Sequence, residues 1–436
     1  MSNRILYGKH TKSSLLCFPF DYPLTHREFY YAIVMVKKAS AYANYKSGKI
    51  TKEQSEKIIF ACDEILKGKY DDQMVISGIH GGAGTSVNMN VNEVIASLSG
   101  THPNDHVNAS QSTNDVNPSA LKIALIKLSK ELLGNLDYLI KEIEKKAEQN
   151  KDVKKLARTH MQDAVPTTLG AEFQSYANIL KRDKRRIEEA MIYLYDLNLG
   201  GSAVGNSINV SKLFISEVFI SLRKITGIDK LKPLSNLMSG TSSASDFCYI
   251  SAAVTVLCNS LSKIASDFRF LSSGPLGSIG EISFEELQQG SSIMPGKVNP
   301  VMAELMNQIY YLTVGKNMSI HEASQGAQLE LGVMLPVIVD SLITMFKTVS
   351  TAMKVFADLG IKKIIVNKER CLELLERSMA YSTLLTPKLG YDTVSEVVKE
   401  AIASKKTLRQ VVLEKKLLTE DEFDKLTGFF NDETEN

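Results

Sequence analysis

Apolar positions along this chain recur at the period of helices. Leu128, Leu132, Leu136, Leu139 and Ile143 stand three or four residues apart, which puts them on one helical face. Residues 241–273 contain neither Gly nor Pro, so one helix can run through them. At 1.5 Å per residue it would be roughly 50 Å long. Residues 171–199 also lack both, and 333–358 are largely apolar with Pro336 near the start. "ITKEQSEKIIFACDEILKGK" (50–69) reads as a helix capped by Thr51 with a Glu soon after. "KKTLRQVVLEKKLLTEDEFDKL" (405–426) reads as two short helices meeting at a Leu-Leu-Thr turn, with Thr419 as the second cap. No alternating strand pattern of useful length and no short tandem repeat is visible. The pattern predicts an all-α protein built on a bundle of long helices. The expected division is an N-terminal helical domain over 1–110, a central bundle over 111–366 and a small C-terminal helical domain over 367–436. The last residues, "NDETEN", read as a solvated tail. A long helix that is apolar around much of its circumference needs more than one neighbour, which predicts a homo-oligomer.

Composition narrows the function classes. The 436 residues include 51 Lys and Arg against 49 Asp and Glu, so no basic excess supports binding to nucleic acid or a membrane surface. A local basic pocket for a small anion remains open. Hydrophobic residues make up 44%, enough for an ordinary core. Cys17, Cys62, Cys248, Cys258 and Cys371 form no CxxC pair, and their odd number fits free thiols in a reducing cytoplasm. "MSNRILYGKH" carries no apolar run of the kind that directs secretion. "YISAAVTVLC" is apolar but reads as too short and too interrupted to cross a bilayer, hence as a buried helix.

Four polar islands interrupt the helices: "GGAGTSVNMNVNEV" (81–94), "HPNDHVNASQSTNDVNPSA" (102–120), "RTHMQDAVPTTLG" (158–170) and "GSSIMPGKVNP" (290–300). Capping and turn formation account for any one of them. Together they collect hydroxyls, amides, a histidine and a lysine, which is a donor set for carboxylates that needs no metal. His102 and His106 have i, i+4 spacing, but "HPNDH" has Pro at its second position and lacks the Glu of a zinc-protease helix. His106 therefore reads as a packed or hydrogen-bonded histidine, and no metal site is assigned. Ser291 and Ser292 lack the strand-borne elbow of a serine nucleophile. Gly290 and Gly296 do not have phosphate-loop spacing to Lys297.

These islands resemble the aspartase/fumarase superfamily. "GSSIMPGKVNP" is that family's signature, and the other three islands match its remaining motif regions in order, from about Tyr7 to the C-terminal helices. The resemblance is to the aspartate ammonia-lyase and class II fumarase branch. It implies three α-helical domains and a tetramer with a twenty-helix core. Each active site would draw on three subunits. It also implies a longer arm before "YG" than this sequence carries, with His10 and Thr11 retained. The implied reaction removes a proton from the carbon beside one carboxylate of a small diacid and expels an amine or hydroxide from the next carbon. The dianionic aci-carboxylate intermediate must be held by directed donors. No cofactor is implied.

Carried over by motif position, Ser291 is the general base, with loop N–H groups and Lys297 favouring its alkoxide. Thr85, Ser112, Thr113 and Ser292 would bind the carboxylate that becomes the enediolate. Thr159, Lys297 and Asn299 would hold the other carboxylate. Asn114 and His160 would face the leaving group, with Thr85 and Ser86 nearby, and Glu304 would orient His160. His102, Asn104 and Asp105 match a secondary carboxylate site of fumarases. The lysine loop would open to admit the diacid and close to exclude water. Thr85-Ser86 and Thr113-Asn114 resemble aspartases, whereas "HPNDHVN" and "KLGYDTV" resemble fumarases. Gly332 and Leu335 replace an Asn and a charged residue of the family, and Ala109 replaces a lysine. The leading expectation is an ammonia-lyase for L-aspartate or a close analogue. Fumarate hydratase, a lyase for another substituted succinate, and a structural relative without turnover stay open.

Overall fold

The computed structural model describes residues 5–428 of the chain, so the "NDETEN" segment lies outside the described residues. In chain order the elements are α1 (Lys9–Cys17), α2 (Arg27–Lys46), α3 (Lys52–Leu66), α4 (Thr85–Ser99), α5 (Thr113–Gln149), β1 (Lys154–Thr159), β2 (Gln162–Thr168) and α6 (Leu169–Met191). There follow β3 (Asp196–Leu197), α7 (Lys212–Thr226), β4 (Lys232–Pro233), α8 (Leu237–Ser242), α9 (Ser245–Leu271), β5 (Ile282–Phe284), α10 (Val301–Gln325) and α11 (Leu335–Val355). The chain closes with β6 (Ile364–Val366), α12 (Lys368–Arg377), α13 (Ser382–Leu389), α14 (Tyr391–Ser404), α15 (Leu408–Glu414) and α16 (Glu420–Thr427).

Long helices dominate, as the Gly/Pro gaps predict. At 37 residues α5 runs about 55 Å, and at 27 residues α9 runs about 40 Å. Leu132, Leu136, Leu139 and Ile143 of α5 are completely buried, while Leu128 at the edge of the stripe is half-buried. Thr51 caps α3 through a reciprocal box closed by Gln54, the residue three on, rather than by a glutamate. Thr419 and Glu422 close the corresponding box at α16.

Two expectations are corrected. Among the described residues, six short strands pair into three two-stranded sheets, where the sequence showed no strand pattern. Two of them, β3 and β4, are only two residues long. In the β1–β2 hairpin the register shifts between Leu156 and Arg158, which breaks the alternation, and Pro166 stands inside β2. The helix carrying "YISAAVTVLC" is also less interrupted than read, with an apolar window long enough to span a bilayer. By length and composition Ser245–Leu271 and Leu335–Lys363 could each cross a membrane, but 56% and 72% of their apolar windows are buried inside the protein.

The described chain divides into two compact units. One comprises residues 5–134, 183–259 and 309–351, and the other 135–182, 260–308 and 352–428. In the first, α2 packs against α3 and α7 and buries Phe29, Tyr30, Ile33, Val34 and Val36. In the second, Leu375, Leu385, Val394, Val397, Leu408, Val411, Val412 and Phe423 of α12–α16 close over Leu156 of β1. Full burial of such side chains stabilises by roughly 1.5–3 kcal/mol each. Phe268 of α9 stacks on Phe173 of α6 at 5.4 Å, and Tyr176 meets it edge-on at 5.6 Å while donating its hydroxyl to Asp267.

Candidate active site

The first unit brings two helix N-termini together. The approach to α4 holds Gly82, Ala83 and Gly84 with φ of 77°, 56° and 87°, an unusual left-handed run. A Cβ on Gly84 would lie 2.4 Å from Asn117 Nδ2, which donates to the Gly84 carbonyl at 3.0 Å. Glycine is therefore required at 84, and this bond ties α4 to α5. Thr85 opens α4 and is exposed, and Ser86 beside it is buried.

At α5, Ser112 is the cap. Its Oγ accepts the Asn114 N–H at 3.2 Å, and Asp115 Oδ1 accepts the Ser112 N–H at 2.9 Å. The other Asp115 oxygen takes N–H groups from Gly200 (3.0 Å) and Ser202 (2.9 Å), which locks the 200–203 turn against the helix start. Pro118 has no N–H for the Asn114 carbonyl four residues back. Asn198 Nδ2 takes that carbonyl instead, at 3.0 Å. Asn88 of α4 donates to Thr113 Oγ1 at 3.1 Å.

This pairing decides which way the hydroxyls point. Ser112 and Thr113 each accept a hydrogen bond on oxygen, and Ser86 shares one with Ser14 at 2.9 Å. A hydroxyl that accepts on oxygen keeps its own proton to donate. Two helix dipoles add positive potential at the same place. Asn114 Nδ2 donates to the Ala203 carbonyl at 2.8 Å, which leaves Oδ1 as its acceptor end. The result is a group of donors suited to a carboxylate, with one acceptor at its side.

The second unit carries the remaining candidates. Thr159 and His160 are exposed at the tip of the β1–β2 hairpin. His160 and Met161 have φ of 55° and 60°, positions where such turns favour Asn and Gly. Each costs of order 1 kcal/mol and persists only when its surroundings impose it. The base of the hairpin does so. Fully buried Glu281 pairs with Arg158 at 2.8 Å and Lys155 at 3.1 Å, and Lys155 also meets Glu172 at 2.7 Å. Glu304 lies in the first turn of α10, and no hydrogen bond or ion pair joins it to His160 within the chain.

Residues 290–300 form a loop without regular structure, half-buried at Ser291 and exposed from Ser292 to Val298. Gly290 lies so close to Lys297 that a Cβ there would sit 1.6 Å from the Lys297 carbonyl oxygen. Asn299 Nδ2 closes the base of the loop on the Gly290 carbonyl at 2.7 Å. Inside the loop, Ser291 Oγ accepts two backbone N–H groups, from Ile293 at 3.2 Å and Met294 at 3.0 Å. Lys297 is exposed and, among the described residues, its side chain makes no hydrogen bond or ion pair.

The secondary group lies elsewhere in the first unit, on a one-turn helix over Pro103–Val107. His102 Nδ1 meets Asp105 Oδ2 at 3.0 Å and accepts the Asp105 N–H at 3.1 Å, and Asn104 is exposed beside them. His106 is half-buried and hydrogen-bonded to Gln54 and to the His102 N–H. Among the described residues, no three His, Cys, Asp or Glu side chains are grouped to hold a metal. The residues that orient the candidates, Asp115, Asn198, Asn88 and Glu281, escaped the sequence reading. Only Asp115 left a signal, the three-residue capping interval after Ser112.

Comparison with known proteins bears on this arrangement. Residues 3–315 match the family described as Lyase, and residues 382–431 match Fumarase C C-terminus. Aspartate ammonia-lyase of Bacillus subtilis is 39% identical over 96% of this chain and 91% of its own length. Class II fumarate hydratase of Chlamydia caviae is 36% identical over 97% and 94%. The cobalt-bound crystal structure of a fumarate lyase:delta crystallin from Brucella melitensis superposes with a TM-score of 0.95 at 36% identity, over 99% of this chain and 96% of that one. Recombinant class II fumarase from Schistosoma mansoni gives 0.93 at 31% identity, over 98% and 95%. The chain is a lyase of the aspartase/fumarase superfamily.

Proposed function

We propose that the chain is an ammonia-lyase that converts L-aspartate, or a close analogue, reversibly to fumarate and ammonia. The observation that carries this reading is the pair of backbone N–H groups on Ser291 Oγ. A serine is a feeble base, and two directed donors on its oxygen favour the alkoxide it must become. Ser291 takes the proton from the carbon beside the carboxylate held by Thr85, Ser112, Thr113 and Ser292. The C–H electron pair moves into that carboxylate and forms the aci-carboxylate dianion. Its collapse makes the carbon–carbon double bond and breaks the bond to nitrogen. Thr159, Lys297 and Asn299 hold the second carboxylate.

The leaving group is the finer question. Asn114 presents Oδ1 as an acceptor, since one hydrogen of its amide nitrogen goes to Ala203 and fixes the orientation of the side chain. An ammonium group is a donor and suits that acceptor. Two relatives named aspartate ammonia-lyase and fumarate hydratase match to a similar degree, so the substrate is decided by assay. L-Aspartate and L-malate are supplied separately and the ultraviolet absorbance of the unsaturated diacid is followed. A signal from malate and none from aspartate overturns the reading in favour of a hydratase.

The working form is a homotetramer whose active sites each draw on three subunits. Exposed apolar side chains support this assembly, notably Tyr249, Val256 and Phe270 on α9, seven and fourteen residues apart, and Tyr311 and Met318 on α10. Such stripes mark contact faces. Sedimentation that returns a monomer at assay concentration argues against it.

A further inference from the structure

Lys37 is completely buried in the middle of α2, in the same unit as the donors at the start of α5. Its Nζ donates to Asn108 Oδ1 at 2.8 Å. That oxygen also receives Asn92 Nδ2 at 3.2 Å and Asn88 Nδ2 at 3.3 Å. The second hydrogen of the Asn88 amide goes to Thr113 Oγ1 at 3.1 Å. On the other side, Asn108 Nδ2 donates to the Gln111 carbonyl at 3.3 Å.

We propose that Lys37 is a positioning residue for the carboxylate site, fixing through Asn108 and Asn88 the direction in which Thr113 offers its hydroxyl proton. An ammonium can only donate, so Asn108 must turn its oxygen toward it. Asn88 must then present its NH₂ to both Asn108 and Thr113. Thr113 must accept on oxygen and send its proton outward. Remove the ammonium and the amides can rotate end for end. Asn88 would then offer its oxygen, and Thr113 would spend its proton inward.

Burial drives the Lys37 ammonium down and the neighbouring Asp115 carboxyl up, and each charge opposes the other's shift. Three backbone N–H groups on Asp115 favour its ionised form, which limits the fall of the Lys37 ammonium to about 7. Cys62, the other titratable group acting on Lys37, has its thiol pushed up by burial and stays neutral.

The inference rests on Thr113 being a carboxylate donor, and a double-mutant cycle on kcat/KM separates the two ideas. Lys37→Met keeps length and volume but removes the charge, and Thr113→Val removes the hydroxyl. Each should lower kcat/KM by about tenfold or more, the effect of one lost hydrogen bond to a charged group. The double variant should be no worse than Thr113→Val alone. Losses that multiply, or a folded Lys37→Met with near wild-type kcat/KM, overturn the inference. If Lys37→Met does not fold, Asn88→Ser cuts the relay one link later and is read by the same rule. If Thr113→Val itself has wild-type kcat/KM, the site reading fails first.

Discussion

Replacing Gly290 by alanine tests the loop with a perturbation whose size can be read from the structure. The added Cβ would stand 1.6 Å from the Lys297 carbonyl oxygen and 2.7 Å from its carbon. Contacts become ordinary only at 3.4 Å, so the two sides of the loop must part by nearly 2 Å. Both are backbone, so no side chain can yield. The Asn299–Gly290 bond that closes the loop at 2.7 Å lengthens or breaks, and Ser291, the next residue, moves with it. A misplacement of about 1 Å at a reacting group costs on the order of 10²-fold in rate. Gly290→Ala should therefore lower kcat/KM by at least about 10²-fold. Most of the loop is exposed, so the urea midpoint should move little, by less than about 1 kcal/mol. The assay is production of the unsaturated diacid, with denaturation run on the same preparation. A folded Gly290→Ala that keeps more than about a tenth of wild-type kcat/KM would show that loop geometry does not set the base, given the ~1 Å sensitivity.

Ser291→Ala should abolish turnover while equilibrium binding of a diacid and the oligomeric state stay near wild type; substantial residual turnover identifies another base. Phe423→Ala, in the apolar cluster of α12–α16, should cost about 3–5 kcal/mol of stability by urea denaturation, and a loss below about 1 kcal/mol would mean the cluster is loosely packed. Burial raises the Asp340 carboxyl, but His26 3.6 Å away and hydrogen bonds from Lys316 and Tyr22 outweigh this and hold it well below the usual carboxylate range. The stability it contributes is therefore present above the unfolded value near ~3.9 and lost as pH falls through that toward the depressed folded value. Asp340→Asn should flatten the stability curve below about pH 4, and an unchanged acid limb would refute the assignment.

The helices were readable because their signals are local. A 33-residue stretch without Gly or Pro became α9, and Thr51 and Thr419 cap as their spacing to Gln54 and Glu422 requires. The β1–β2 hairpin was not, since a register shift and Pro166 erase the alternation. The polar islands identify candidate residues without their geometry. That Asn114 turns its amide nitrogen to Ala203, or that Gly290 almost touches Lys297, depends on segments remote in sequence or on a loop path with no periodicity. Lys37 was hidden for a different reason. A lysine between Val36 and Lys38 reads as a solvated position, and only the surrounding asparagines reveal that it is buried.

The serine base is tested most directly by a crystal structure of the assembled enzyme with a bound diacid and the 290–300 loop closed. The account predicts Ser291 Oγ within about 3.5 Å of the carbon that loses its proton, with the Ile293 and Met294 N–H groups still directed at that oxygen. A closed loop in which the Ser291 side chain turns away from the diacid would contradict it.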